Sequence, residues 1–375
     1  MKKVVGIVTV GRRLLLSNYG SFFQHYALRV VLRRLGYASY RVDYDSVLKE
    51  FWELLIPIRR LWIIVRSIIF GRKLPDRIPF RSSVQRIIFS RQYKRLIAPI
   101  FEKQVDAESY IAGGDCVWFN TMPSMFLLDK PASARKISYA ASSSWEFMRD
   151  QKTWRELIHS VGASYSAISA REGVGCKIIK EITGREVERV LDPVLLIGKT
   201  DYLKIAATKR ILQRPTLLYY AVNVTSADDM DLDRICGWAD KINVDTRVVG
   251  IQGAESFSPR TILLRPSPSE FLTLFKEAQC IVTNSFHGIV FSIVFDKPFV
   301  FVRQKSEKWG NQNGRQNELL EMLALEKRRV DDEMSNDVIE LLTTPLPDDL
   351  LSRVESMKIK SFNWLAKALS TGCDI

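Results

Sequence analysis

The run Thr283-Asn284-Ser285-Phe286-His287-Gly288 is the stretch best suited to chemistry. It falls where the apolar strand Cys280-Ile281-Val282-Thr283 hands over to a helix expected from Gly288 to Phe295. Open α/β sheets bind ligands at that end of their strands. Backbone N–H groups at a helix start attract an anion such as phosphate, and a histidine beside it can give or take a proton at neutral pH. The competing reading is a packing residue at a helix start. The chain has only three histidines, and another of them, His25, lies one turn inside an apolar helix, where a structural role is expected.

Three further clusters have useful residue types. Asn18, Tyr19 and Gly20, followed by Gln24, occupy the first strand-to-helix loop, where glycine lets backbone come close to a ligand. They do not form a GxGxxG dinucleotide fingerprint. Gly113-Gly114-Asp115 ends a strand and leads to Trp118 and Asn120; Asp and Asn suit sugar hydroxyls, and Trp118 offers either a stacking face or core packing. Ser169-Ala170-Arg171-Glu172 sets Arg171 just past a strand, placed to grip a carboxylate or phosphate bidentately, or to pair with a neighbouring acid. Asp192-Pro193 reads as a turn former.

The elements that must position these residues follow from periodicity. Val4 to Val10 is β-branched and strand-like. From Gln24 to Leu35 the apolar residues recur at helical spacing until Gly36 stops them, and Tyr40 to Tyr44 is a second strand. This β-α-β start implies a parallel sheet. Further strands are expected at Ser109 to Gly114, Lys136 to Ala141 and Ala167 to Ser169, a helix from Arg171 to Ile182, and a helical crossover up to Arg214. A second β/α half opens at Thr216, with strands at Leu217 to Val222, Thr246 to Ile251 and Pro298 to Val302. Its helices are expected at Asp228 to Lys241 and from an N-cap at Ser269-Glu270 to Ala278. The expected fold is α/β, two Rossmann-like domains in a GT-B-like arrangement with a central cleft. Residues 1–200 form the first domain, with a basic, apolar helical insertion near 50–100. Residues 201–335 form the second, and 336–375 a helical tail packing back on the first.

Composition is that of a soluble globular protein: 375 residues, 46% hydrophobic and 26% charged. Met1-Lys2-Lys3 leads straight into a strand, so no signal peptide is expected. The cysteines Cys116, Cys176, Cys236, Cys280 and Cys373 are scattered without metal-ligand spacing, so free thiols in the cytoplasm are expected, and no metal or cofactor. No GxSxG, P-loop or HExxH pattern occurs. The formal charge of +13 calls for an anionic partner. Nucleic acid has no support beyond that charge and is not expected. Between Arg59 and Arg95 the charged residues are basic save Asp76, interleaved with apolar residues that begin at Phe51 and Trp52 and include Trp62 and Phe70. That pattern suits either a helix pair over a sheet or, across residues 51–95, an anionic membrane surface. It is too charged to span a bilayer.

In order along the chain, these motifs resemble the polysaccharide pyruvyl transferase family. They are Asn18-Tyr19-Gly20 with Gln24, Gly113 to Trp118, Ile137 to Ser142, Ser169 to Glu172, Leu191 to Leu196, and Ala278 to Ser292 with Lys297-Pro298. The resemblance runs from about Val4 to Arg328. It implies a transferase using phosphoenolpyruvate as co-substrate to build a pyruvate ketal on a bacterial surface-polysaccharide precursor, such as capsule or exopolysaccharide, with phosphate released. His287 would then be the general acid. The donor would be held by Arg171, Asn284, Ser285, Gly288, Arg303 and Arg315, and the acceptor met by Asn18, Tyr19, Gly20, Gln24, Asp115, Trp118 and Asn120. A lipid-linked acceptor would account for the basic stretch, with the protein peripheral on the inner face of the cell membrane. Many members carry arginine two residues before the histidine; here that place is Ser285, so Arg171, Arg303, Lys305 or Arg315 must supply the charge, or the donor differs. Two other functions fit the same pattern. A nucleotide-sugar glycosyltransferase would have Glu270 and Arg265 as loose ribose and diphosphate candidates, and a non-catalytic sugar-binding homologue would keep only the fold.

Overall fold

The computed structural model describes residues 3–9, 18–42, 107–119, 123–251, 253–305, 313–330 and 337–370. The basic stretch at 51–95 and Asn120 lie outside the described residues.

Strand runs such as Val4–Val8, Ser109–Gly114, Cys280–Thr283 and Phe299–Val302 are apolar on both faces, as parallel strands covered by helices must be. Numbered along the chain, the strands of the first half are β1 (Val4–Val8), β2 (Ala38–Arg41), β3 (Ser109–Gly114), β4 (Arg135–Ala141), β5 (Ala167–Ala170) and β6 (Glu188–Arg189). They form a parallel sheet in the order β2-β1-β3-β4-β5-β6. The second half contributes β7 (Thr216–Ala221), β8 (Asp245–Gly250), β9 (Leu263–Leu264), β10 (Cys280–Thr283), β11 (Phe299–Val302) and β12 (Arg329–Val330). Its sheet is also parallel, in the order β12-β11-β10-β7-β8-β9. Each order reverses once, between β1 and β3 and between β7 and β10. The two sheets therefore have one switch point each, with a crevice beyond the strand ends.

Local chemistry shifts several boundaries. The first helix spans Tyr19–Arg34, five residues earlier than periodicity predicts, because Asn18 caps it by accepting from the Ser21 N–H. Gly36, at φ 86°, ends it as expected. Helix Pro268–Glu277 is capped by Ser267, not Ser269, with Glu270 closing a capping box. The helix expected from Asp228 is a short 3₁₀ turn followed by Leu232–Lys241, broken at Asp231 with φ 47°. The expected crossover before Arg214 holds only the short helix Lys199–Leu203.

One apolar core runs through both halves. It joins the first helix (Phe22, Phe23, Leu28) to β7 (Leu218, Tyr220) and to the helices Pro268–Glu277 and Phe286–Phe295. Tyr19 stacks on Phe271 with ring centroids 4.1 Å apart, and its hydroxyl donates to the Pro266 carbonyl. The closing helix Leu350–Leu369 returns to the first half, where Ser361 Oγ accepts the Leu191 N–H and Tyr37 donates to the Leu369 carbonyl. No described helix is long and apolar enough to cross a membrane.

Candidate active site

A cavity of about 230 Å³ opens between the two switch points. From the first half it is lined by Asn18 after β1, Asp115, Cys116 and Phe119 after β3, and Ser144 after β4. From the second it takes Val222 and Asn223 after β7, Ile251 after β8, Ser285 to His287 after β10, Gln304 after β11, and Arg315 and Gln316. Tyr220, inside β7, is the one lining residue that belongs to a strand.

His287 stands in the first turn of helix Phe286–Phe295 and is buried except for a small face. Its Nε2 lies 3.6 Å from Asp192 Oδ2, ion-pair distance but longer than a hydrogen bond, and has no hydrogen-bond partner among the described residues. Its Nδ1 edge rests on Gly20: a Cβ built there would sit 2.2 Å from Nδ1. Gly20 is therefore needed for the approach of the imidazole, which the sequence reading had assigned to a ligand. Gly288 has a similar task, since a Cβ there would meet Thr283 Oγ1 at 2.0 Å.

Behind the histidine lies a buried charge cluster. Arg171 donates through Nε to Glu172 at 2.7 Å, through Nη1 to Asp192 at 2.9 Å, and through Nη2 to Asp115 and Ser142, each at 2.9 Å. Its guanidinium also covers the Phe286 ring, 3.8 Å from the centroid. Glu172 accepts in addition from Ser142 Oγ and Trp145 Nε1. Gln24 ties the set together, donating to Asp192 Oδ2 at 2.6 Å and accepting the Asp115 N–H at 3.0 Å. Burial alone would raise the Asp192 carboxyl; His287, Arg171 and the Val194 N–H overcome it and hold it at about 2. Asp115 is likewise held well below the usual range against burial, by Arg315 and Arg171. A proton on His287 would bring Arg171, Arg315, Asp115, Glu172, Asp192 and His287 to a formal sum of zero.

Arg315 reaches in from the helix Asn313–Met322, with Nη1 on Asp115 Oδ1 and 3.1 Å from Cys116 Sγ. Burial pushes the Cys116 thiol up to about 11, so it stands as a neutral neighbour, not a nucleophile. Gln304 Nε2 and Gln316 Nε2 both donate to the Asn284 carbonyl, at 2.9 and 3.4 Å. Among the described residues no three His, Cys, Asp or Glu side chains come together as a metal-ligating group.

Several expected site residues serve the frame instead. Arg171 does not line the cavity, because three carboxylates and a hydroxyl occupy its guanidinium. Trp118 is fully buried, stacked with Phe126 at 5.7 Å, and has no face for a sugar. Tyr19 is core, and Gln24 holds charges. Asn284 pins β7 to β10 by exchanging two hydrogen bonds with the Val222 backbone. Arg303 is exposed and does not line the cavity; Lys305 lies 3.8 Å from Asp231. Asn18, Asp115, Ser285, His287 and Arg315 do line it. Reading the sequence missed Gln304 and Gln316, which no motif marks, and treated Asp192 as a turn. It is a turn former, capping the 3₁₀ helix Pro193–Leu196 through Oδ1, while Oδ2 faces the site. Glu270, a candidate for ribose, is used up in its capping box.

A sequence model described as polysaccharide pyruvyl transferase matches residues 18–306. No curated protein matches the sequence. Among solved structures, the UDP-GlcNAc 2-epimerase of Methanocaldococcus jannaschii, in complex with UDP-GlcNAc and UDP, is similar at 14% identity. The match covers 99% of this chain and 100% of that one, with a TM-score of 0.50. The Neisseria meningitidis UDP-GlcNAc 2-epimerase matches at 12% identity over 97% and 100%, with a TM-score of 0.49. At such identities the first likeness speaks for the two-domain GT-B-like fold alone.

Proposed function

This chain belongs to the polysaccharide pyruvyl transferase family, a family of transferases, and from that premise we propose that it moves the enolpyruvyl unit of phosphoenolpyruvate onto two hydroxyls of a sugar. The observation that carries the reading is His287, seated at a helix start on the cavity wall with buried Asp192 behind it and Arg315 lining the same cavity. Protonated His287 gives its proton to the vinyl CH₂ of the donor, creating a methyl group and an oxocarbenium-like carbon. The first hydroxyl attacks that carbon and returns its proton to the imidazole. The second hydroxyl then forms the other ketal bond; the carbon–oxygen bond to phosphate breaks, and phosphate leaves with that electron pair and the second proton. Asp192, 3.6 Å from Nε2, orients the ring and steadies its positive charge.

Arg315 takes the part that Ser285 cannot. It is a cavity-lining guanidinium, and the amide N–H groups opening helix Phe286–Phe295 add a second anion-binding element. The acceptor we assign is a lipid-linked precursor of capsule or exopolysaccharide, reached by a cytoplasmic enzyme on the inner membrane face. Its support is the basic, aromatic stretch at 51–95. Replacing Arg59, Arg60 and Arg66 with Glu should release the protein from anionic vesicles, and unchanged binding would count against this placement. A glycosyltransferase reading is weakened by the engagement of Glu270 as a helix cap.

Calorimetric titration and turnover with phosphoenolpyruvate test the proposal. His287→Ala should bind the donor nearly as wild type yet lose roughly 10²- to 10⁴-fold in turnover. Arg315→Ala should weaken donor binding by about tenfold or more. Absence of any donor binding by wild type, with a nucleotide sugar binding instead, would overturn it.

A further inference from the structure

Two cavity-lining side chains carry a buried acceptor atom that no described residue satisfies. Gln304 and Gln316 are both more than nine-tenths buried, and among the described residues neither Oε1 has a hydrogen-bond partner. Their orientation is fixed from the other end, because each Nε2 donates to the same Asn284 carbonyl. The two carboxamides therefore stand side by side, next to the turn that carries His287. A buried carbonyl left without a donor is costly, so two in one wall call for a ligand that supplies donors.

The donor substrate cannot do so. Ionised phosphoenolpyruvate brings phosphate and carboxylate oxygens, which are acceptors only, and no N–H or O–H to offer a glutamine carbonyl. A sugar brings hydroxyl donors. We infer that Gln304 and Gln316 are the acceptor-recognition pair of this enzyme, each carbonyl oxygen accepting from one of the two sugar hydroxyls that become bridged. The inference rests on the pyruvyl transferase reading for its chemistry and adds to it where the acceptor diol sits. Each hydroxyl oxygen keeps its lone pairs free for attack while its hydrogen bond to the carbonyl orients the diol towards the carbon activated by His287. That bond lasts until the first proton passes to the imidazole and the second to the leaving phosphate. Glutamine suits the task better than glutamate, since a carboxylate in the same place would repel the fully ionised, trianionic donor.

The test is saturation-transfer NMR with the methyl glycosides of glucose, galactose and mannose. Wild type, Gln304→Met and Gln316→Met are compared, with thermal melting and phosphoenolpyruvate titration as checks that each variant folds. Wild type should bind at least one glycoside. Both variants should bind it about tenfold or more weakly, with donor affinity changed less than about threefold. A derivative of that glycoside methylated at both candidate hydroxyls should not bind wild type, a comparison that needs no variant. Equal binding by the variants, equal binding of the methylated sugar, or failure of every glycoside to bind wild type would overturn the inference. Failure of phosphoenolpyruvate alone to bind would sink the pyruvyl transfer reading instead, while the sugar measurements would still decide the role of the two glutamines.

Discussion

The two walls of the cavity are built on opposite terms. The wall from the first half is rich in charge and almost wholly self-satisfied: Arg171, Asp115, Glu172, Asp192 and Gln24 bind one another, and of these five only Asp115 lines the cavity. The wall from the second half carries fewer charges and leaves atoms unmet, at His287 Nε2, Gln304 Oε1 and Gln316 Oε1 among the described residues. A closed network gives rigidity, whereas the unmet carbonyl oxygens of Gln304 and Gln316 leave hydrogen-bonding capacity unused among the described residues. Buried ion pairs add little net stability over apolar packing, yet removing one partner is costly because its charges are left without compensation. The first wall therefore acts as a frame that holds Asp192 beside His287, and in the proposal above it is the second wall that meets the sugar.

Breaking the frame should give the largest effect. Arg171→Met takes the shared cation from Asp115, Glu172 and Asp192 and leaves the buried Glu172 carboxylate with no paired charge among the described residues. Urea denaturation should show a loss of about 3–5 kcal/mol. Arg315→Met should lose clearly less stability while affecting the donor affinity more; equal destabilisation by the two would erase the distinction between frame and site. The contact between walls comes next. Gly20→Ala forces a Cβ to within 2.2 Å of His287 Nδ1, and the displaced imidazole should cost turnover about 10²-fold. A Gly20→Ala enzyme with near-normal kcat would mean that the ring position does not matter. The smallest effect is in acid. Asp192 titrates at about 2 in the folded chain, against about 3.9 unfolded. Its lowered value adds stability above pH 4 that is lost as the pH falls from about 4 towards 2, worth about 2 kcal/mol. Asp115 is shifted the same way. The denaturation midpoint should fall between pH 5 and pH 3 in wild type and fall less in Asp192→Asn; parallel curves would remove Asp192 from the frame.

The fold was largely legible because parallel strands buried on both faces are written as continuous apolar runs, as in Cys280-Ile281-Val282-Thr283. Helix starts were less legible. The cap at Asn18 and the capping box at Ser267 depend on which of several nearby polar residues turns back on the backbone. His287 could be picked out because a histidine at a strand-to-helix turn has few other uses. Arg171, Trp118 and Gln24 had the right types for ligand contact but were assigned the wrong partners, since sequence gives a side chain's capacity and not what surrounds it.

The chain's own pattern thus determined two β/α halves, the strand ends at which chemistry would gather, and the histidine that stands there. Only tertiary structure decided how the charges are divided. Asp115, Arg171, Glu172 and Asp192 are spread over 78 positions of sequence, and folding of the first sheet brings them within hydrogen-bond reach of one guanidinium. Gln304 and Gln316 carry no motif because their meaning lies in a single shared contact, the Asn284 carbonyl, which exists only once β10, β11 and the helix Asn313–Met322 have packed.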